Sequence, residues 1–191
     1  MVALLNDPDI DSSDARRLER ESGVEFVDGQ IVEKSMSVES SLVESRILFR
    51  FNTVAMRDPV VAVVFPSSMG YRVYPEDPKK HRKPDVSVVR IERMKGIDIS
   101  DGYMTIPADL AIEVVSPHDL HYEVTEKVEE YLQHGFPLVW VVNPRTRTVQ
   151  ICRADGSLSQ LHENDEITVD ELLPGFKCLV KDFFPARLPV G

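Results

Sequence analysis

Asp85 and Glu113, two carboxylates set in apolar strand patterns, are the residues of this chain best placed to do chemistry. Glu113 interrupts Asp109-Leu-Ala-Ile-Glu-Val-Val-Ser-Pro117, and 28 residues upstream (113 − 85) Asp85 opens Pro84-Asp-Val-Ser-Val-Val89. Ionised carboxylates are almost never buried in sheets unless something offsets their desolvation. If the two strands are neighbours, the acids can share a hard cation such as Mg²⁺, with Mn²⁺ as the alternative. Main-chain carbonyls and water would complete the shell, and the carbonyl of Val114 is a candidate ligand. Strand alternation puts Asp109, Ala111, Glu113 and Val115 on one face, and Leu110, Ile112 and Val114 on the other. The competing reading makes Asp85 a loop cap and Glu113 the partner of an arginine.

Lys127 and Glu44 are the further candidates. Residues 119–134 read as a helix, and on its wheel Lys127 lies near Leu120 and Tyr131, bordering the buried stripe. From there its amine can reach over the sheet, hold a phosphate and orient an attacking water. The alternative is a snorkelling lysine paired with Glu123 at helical spacing. Glu44, with Ser40, falls within the apolar stripe of an earlier helix, where a solvated acid is out of place; an imperfect, exposed stripe is the other reading. His81, His118, His121, His134 and His162 form no ligand-spacing motif, and Tyr131 and Trp140 read as core residues with polar tips.

The elements that must position these residues follow from periodicity. Val24–Val27 and Ile31–Glu33 flank Asp28-Gly29, a strong hairpin signal. Residues 39–57 form a helix with Val43, Ile47, Phe51 and Val54 on its buried side. Strands follow at Val60–Phe65, Tyr71–Tyr74, Asp85–Val89 and Leu110–Val115, with a short helical turn at Ile91–Lys95. The 119–134 helix carries Leu120, Val124, Val128, Tyr131 and Leu132 on one side, and Gly135 with Pro137 ends it. Leu138–Val142 is a buried strand, and Thr148–Arg153 with Leu158–Leu161 form a hairpin around Asp155-Gly156. Residues 9–22 suit a short helix. The order predicts one α/β (α+β) domain over 1–191, a mixed sheet covered by helices.

Composition narrows the function classes. The chain has 191 residues, and its 42% apolar and 28% charged content is that of a globular protein. No apolar run suits a membrane span and no signal peptide is evident, so a cytoplasmic protein is expected. Cys152 and Cys178 have no metal-type spacing and are too few for a disulfide framework. No Gly-rich phosphate loop or Gly-x-Ser-x-Gly elbow is present, and no small-molecule cofactor is expected. The net charge of −10 opposes broad nucleic-acid binding. Locally, however, seven Lys or Arg residues between Lys79 and Lys95 stand against Asp85 and Glu92, a basic segment suited to a DNA backbone.

In order, Lys83-Pro-Asp-Val-Ser-Val-Val89, Ala111-Ile-Glu-Val-Val-Ser-Pro117, Glu126-Lys-Val-Glu-Glu-Tyr-Leu132 and Val139-Trp-Val-Val-Asn-Pro144 carry a resemblance. The chain resembles a large bacterial family of restriction-endonuclease-like proteins with the PD-(D/E)xK nuclease fold, from Asp28-Gly29 to Leu173-Pro-Gly-Phe176. The resemblance implies a restriction-endonuclease-like central mixed sheet flanked by helices, with additional β-hairpins. It also implies Asp85 and Glu113 as metal-binding acids in a Mg²⁺-dependent endonuclease acting on DNA. The usual lysine position is Val115 here, and the resemblance points to Lys127 as its migrated counterpart. Glu44 and Glu33 are candidate additional acids, and a homodimer that cuts both strands is implied. Two departures stand out: Gln30 follows Asp28-Gly29 where relatives often carry Glu, and Ser35–Glu44 contains neither Pro nor His. The rival reading is a nuclease-fold protein that binds nucleic acid or protein without cutting.

Overall fold

The structure is a computed structural model that describes residues 23–34, 36–100 and 102–186; the helix expected at 9–22 lies outside them. Strands β1 (Val24–Val27) and β2 (Gln30–Glu33) form the expected hairpin. Both turn residues take positive φ, Asp28 at 52° and Gly29 at 78°, the conformation that matches the twist of a tight hairpin. The hairpin docks on the body through Phe26, whose N–H donates to His81 O at 3.3 Å while His81 N–H donates to Phe26 O at 2.9 Å.

Helix α1 spans Val38–Ala55. Ser37 starts it: its hydroxyl accepts from Ser40 N–H at 3.0 Å, while Ser40 Oγ accepts from Ser37 N–H at 2.8 Å, a reciprocal cap. The predicted stripe of Val43, Ile47, Phe51 and Val54 is buried. Strands β3 (Ala62–Pro66), β4 (Gly70–Tyr71), β5 (Val86–Arg90), β6 (Tyr103–Met104) and β7 (Leu110–Val114) follow. Then come helix α2 (His121–Gln133) and strands β8 (Leu138–Asn143), β9 (Thr148–Arg153), β10 (Leu158–His162), β11 (Glu166–Thr168) and β12 (Lys177–Leu179).

The main sheet has six strands in the order β10-β9-β8-β7-β5-β3. Only β7 and β8, joined through α2, are parallel; the other neighbours are antiparallel. This is the mixed sheet with flanking helices and extra hairpins expected from the element order. On one face α1 meets Val86, Val88, Ile112, Val114 and Trp140 in an apolar core. Burying each such large side chain stabilises the fold by roughly 1.5–3 kcal/mol. On the other face Val128 and Tyr131 of α2 pack with Ala111, Val139 and Val141.

Two local expectations change. The strand expected at Tyr71–Tyr74 is only Gly70–Tyr71, paired in parallel with β6. Pro75, which has no N–H to offer a ladder, follows immediately, and the chain turns so that Asp77 N–H donates to Tyr74 O. Leu120 caps α2 instead of joining its buried stripe and is 49% exposed.

Candidate active site

Sheet register brings the two acids together. Strands β5 and β7 are antiparallel with Val86 opposite Ile112, so one more residue along sets Asp85 opposite Glu113. Alternation turns both away from the α1 core. Asp85 is 2% exposed and Glu113 6%.

Each carboxylate has one oxygen pinned by a neutral donor. Val114 N–H donates to Asp85 Oδ2 at 2.6 Å, and Tyr131 Oη donates to Glu113 Oε1 at 2.9 Å. Burial, and after it the Glu113 charge, pushes the Tyr131 phenol well above its ordinary range, so it remains a donor. The other oxygens meet ammonium groups. Lys34 Nζ lies 2.7 Å from Asp85 Oδ1 and 3.6 Å from Glu113 Oε2, and it donates to Lys83 O at 2.5 Å. Lys127 Nζ lies 3.7 Å from Glu113 Oε2.

A third carboxylate, Glu25 on β1, completes the cluster with no exposed surface. Lys127 Nζ lies 3.0 Å from Glu25 Oε2, and Arg82 Nη1 donates to that oxygen at 3.1 Å. Lys83 N–H donates to Glu25 Oε1 at 2.8 Å. Burial alone would raise the Glu25 carboxyl, but Lys127, Arg82 and Lys34 together hold it well below the carboxylate range. For Glu113 burial dominates and its carboxyl is raised, against the pull of Lys127 and Lys34. Lys34 is pushed above the usual amine range, because Asp85, Glu113 and Glu25 outweigh its burial.

Lys34, Arg82, Asp85, Glu113 and Lys127 line a cleft of about 270 Å³, together with Glu33. His118 and Val114 also line it. Five residues singled out in the sequence therefore share it: Asp85, Glu113, Lys127, Glu33 and Val114, the last using its N–H toward Asp85. Lys127 reaches over the sheet and pairs with Glu25 and Glu113 instead of Glu123.

Glu44 does not line this cleft. It lies on α1, and its Oε1 accepts from Ser67 N–H at 3.2 Å, Ser67 falling one residue beyond the Pro66–Val86 pair, next to Asp85. Part of the basic 79–95 segment turns inward, which leaves fewer of its charges free for a DNA backbone. Lys80, Arg82 and Lys83 are buried, with Lys80 2.7 Å from Glu130 and Arg82 bound to both Glu25 and Glu130. Arg93 lies 2.9 Å and Arg90 3.6 Å from Asp109. The remaining lysines of that segment, Lys79 and Lys95, are exposed.

Glu25 and Lys34 were not singled out in the sequence. Glu25 had a usable signal, an acid between Val24 and Phe26 in an apolar strand, like Glu113. Lys34 had none, since its role depends on where the hairpin docks.

Among the described residues, no three His, Cys, Asp or Glu side chains cluster as a metal site. The oxygens around the Lys34 ammonium nevertheless form a hard donor set: two carboxylates and a carbonyl. That set suits a divalent cation such as Mg²⁺ in the same place.

The family model described as "Uma2: Putative restriction endonuclease" matches residues 12–181. The chain is similar in structure to a crystal structure titled as a putative nuclease belonging to DUF820 from Anabaena variabilis, with a TM-score of 0.74. The two are 21% identical, and the match covers 90% of this chain and 96% of that one, which supports a shared fold. A search of curated proteins found no match. No helix among the described residues is long and apolar enough to cross a membrane.

Proposed function

Since the chain belongs to the Uma2 family, we propose that it is a metal-dependent endonuclease hydrolysing DNA phosphodiester bonds at the Asp85/Glu113 cleft. The observation that carries this reading is the register of β5 and β7, which sets two buried carboxylates side by side at a cleft that also holds Lys127. Asp85 Oδ1 and Glu113 Oε2 would hold Mg²⁺ or Mn²⁺, their partner oxygens being fixed by Val114 N–H and Tyr131 Oη. When bound, the cation supplies Lewis-acid polarisation of the scissile phosphate.

The chain's own groups do the rest. Val114 N–H and Tyr131 keep the carboxylates from rotating, which preserves the direction of their free oxygens. Glu25 holds the Lys127 amine beside Glu113. From there Lys127 orients the attacking water and offsets the negative charge that grows on the pentavalent phosphate. The apolar wall from Val32, Val115 and Val124 limits water in the cleft. A cytoplasmic homodimer fits cleavage of both strands of a duplex.

A second reading, a nuclease-fold protein that binds without cutting, draws support from one observation. Lys34 already occupies the free carboxylate oxygens, and Lys80, Arg82 and Lys83 of the basic segment expected to grip DNA are buried. Plasmid nicking in Mg²⁺ or Mn²⁺ by the wild type and an Asp85→Ala/Glu113→Ala double variant separates the two. Nicking is expected from the wild type and a loss of about a hundredfold or more from the variant. Equal residual plasmid from both, with a wild-type gel shift on DNA, would support the binding reading.

A further inference from the structure

Lys34 is the chain's own cation at the candidate metal site. Its ammonium touches Asp85 Oδ1 at 2.7 Å and Lys83 O at 2.5 Å, and it lies 3.6 Å from Glu113 Oε2. Its side chain is 8% exposed. Without a metal the carboxylates already have cations: Lys34 faces Asp85 and Glu113, Lys127 faces Glu113 and Glu25, and Arg82 is shared between Glu25 and Glu130. A divalent ion added beside a retained Lys34 would put two cations within a few ångströms in a partly desolvated site, a strongly repulsive arrangement. The same oxygens cannot be shared.

We propose that Lys34 and the divalent cation occupy this site alternately, so that metal binding requires the Lys34 ammonium to leave, and that the Lys83 carbonyl is the metal's third protein ligand. The inference rests on the metal-dependent reading above and adds to it a built-in competitor that sets the metal threshold. The unbranched four-carbon stem of Lys34 lets the ammonium swing away without moving its backbone. Lys127 differs from it. It is anchored to Glu25 at 3.0 Å, whereas the short contact of Lys34 is to Asp85 itself, so Lys127 remains with the site when the metal enters.

The test is calorimetric titration of Mn²⁺ into the full-length wild type and into Lys34→Met and Lys34→Gln, each first checked for folding by circular dichroism. The neutral variants are expected to bind Mn²⁺ at least about tenfold more tightly. The gain should vanish when Asp85→Asn is added. Equal affinity in wild type and variants, or tighter binding by the wild type, overturns the competition while leaving the metal reading intact. Absence of binding in all of them overturns the metal reading and the competition together.

A second measurement uses the wild type alone and holds even if the variants fail to fold. Acylation of Lys34 by an amine reagent, followed by mass spectrometry, should rise when Mn²⁺ is added, because the displaced ammonium reaches solvent. Unchanged labelling of Lys34 at saturating Mn²⁺ overturns the proposal.

Discussion

The two faces of the main sheet are built from the same strands yet solve opposite problems. The face under α1 is apolar, with Phe51 edge-on to Trp140 and Phe176 at centroid separations of 5.8 and 4.6 Å. The face under α2 begins the same way, with Ala111, Val139 and Val141, but at the end of β7 it gives way to Glu113, Asp85 and their cations. One face stabilises by removing carbon from water. The other holds buried charges that stay in place only because each has a partner. Placing the charged cluster on the strands that also form the apolar core gives it a rigid base.

The sharpest way to break this contrast is on the apolar side. Phe51→Ala is expected to destabilise the fold by about 3–5 kcal/mol in urea unfolding, through lost burial and the cavity left beside Trp140. Mn²⁺ affinity should be unchanged in whatever fraction folds. A shift in affinity would mean that the two faces are mechanically coupled.

Next in size is the charged side. Glu25→Gln leaves Lys127 and Arg82 without their shared carboxylate and is expected to cost about 3 kcal/mol at neutral pH. Its pH signature is specific. The folded Glu25 carboxyl lies below its ordinary value of 4.5, so the unfolded chain takes up the proton first. Wild-type stability contributed by this group is present above that value and falls as pH drops from there through the folded-state pKa. Glu113 contributes the opposite slope, since its raised carboxyl favours the folded state as acid is added. Glu25→Gln should therefore flatten the acid limb of a denaturant-midpoint profile. An unaltered limb would show that Glu25 is not the group responsible.

The smallest effect is expected at Glu44. Glu44→Gln keeps an acceptor for Ser67 N–H and should change stability by no more than about 0.5 kcal/mol. Plasmid nicking should match the wild type, since Glu44 does not line the cleft. A large loss of nicking would return Glu44 to the active cleft.

How far the site was legible follows from how local its signals are. Asp85 and Glu113 stand out because a carboxylate among valines violates the pattern of its own strand, and Lys127 because it borders a helical stripe. Those signals are contained within a few residues. Glu25 breaks its strand's pattern too, but a two-stranded hairpin ordinarily has one wet face, and alternation assigns such an acid to water. Only the docking of Phe26 on His81 buries it. The basic run at 79–95 shows the same limit from the other side. Its charge is visible in composition, but the partners Glu25, Glu130 and Asp109 come from distant parts of the chain. The long apolar strands, the β7–α2–β8 unit and the two tight hairpins were readable because periodicity and turn chemistry specify them locally.

The β1–β2 hairpin carries one member of each sign into the cluster, Glu25 and Lys34. Glu33 of the same hairpin lines the cleft as well, while Arg82 is also held by Glu130. The hairpin is thus a charged plug, whose seating or release takes Glu25, Glu33 and Lys34 with it. Lifting it would strip Lys127 of Glu25 and Asp85 of Lys34 at once, so the buried charges themselves hold the hairpin down.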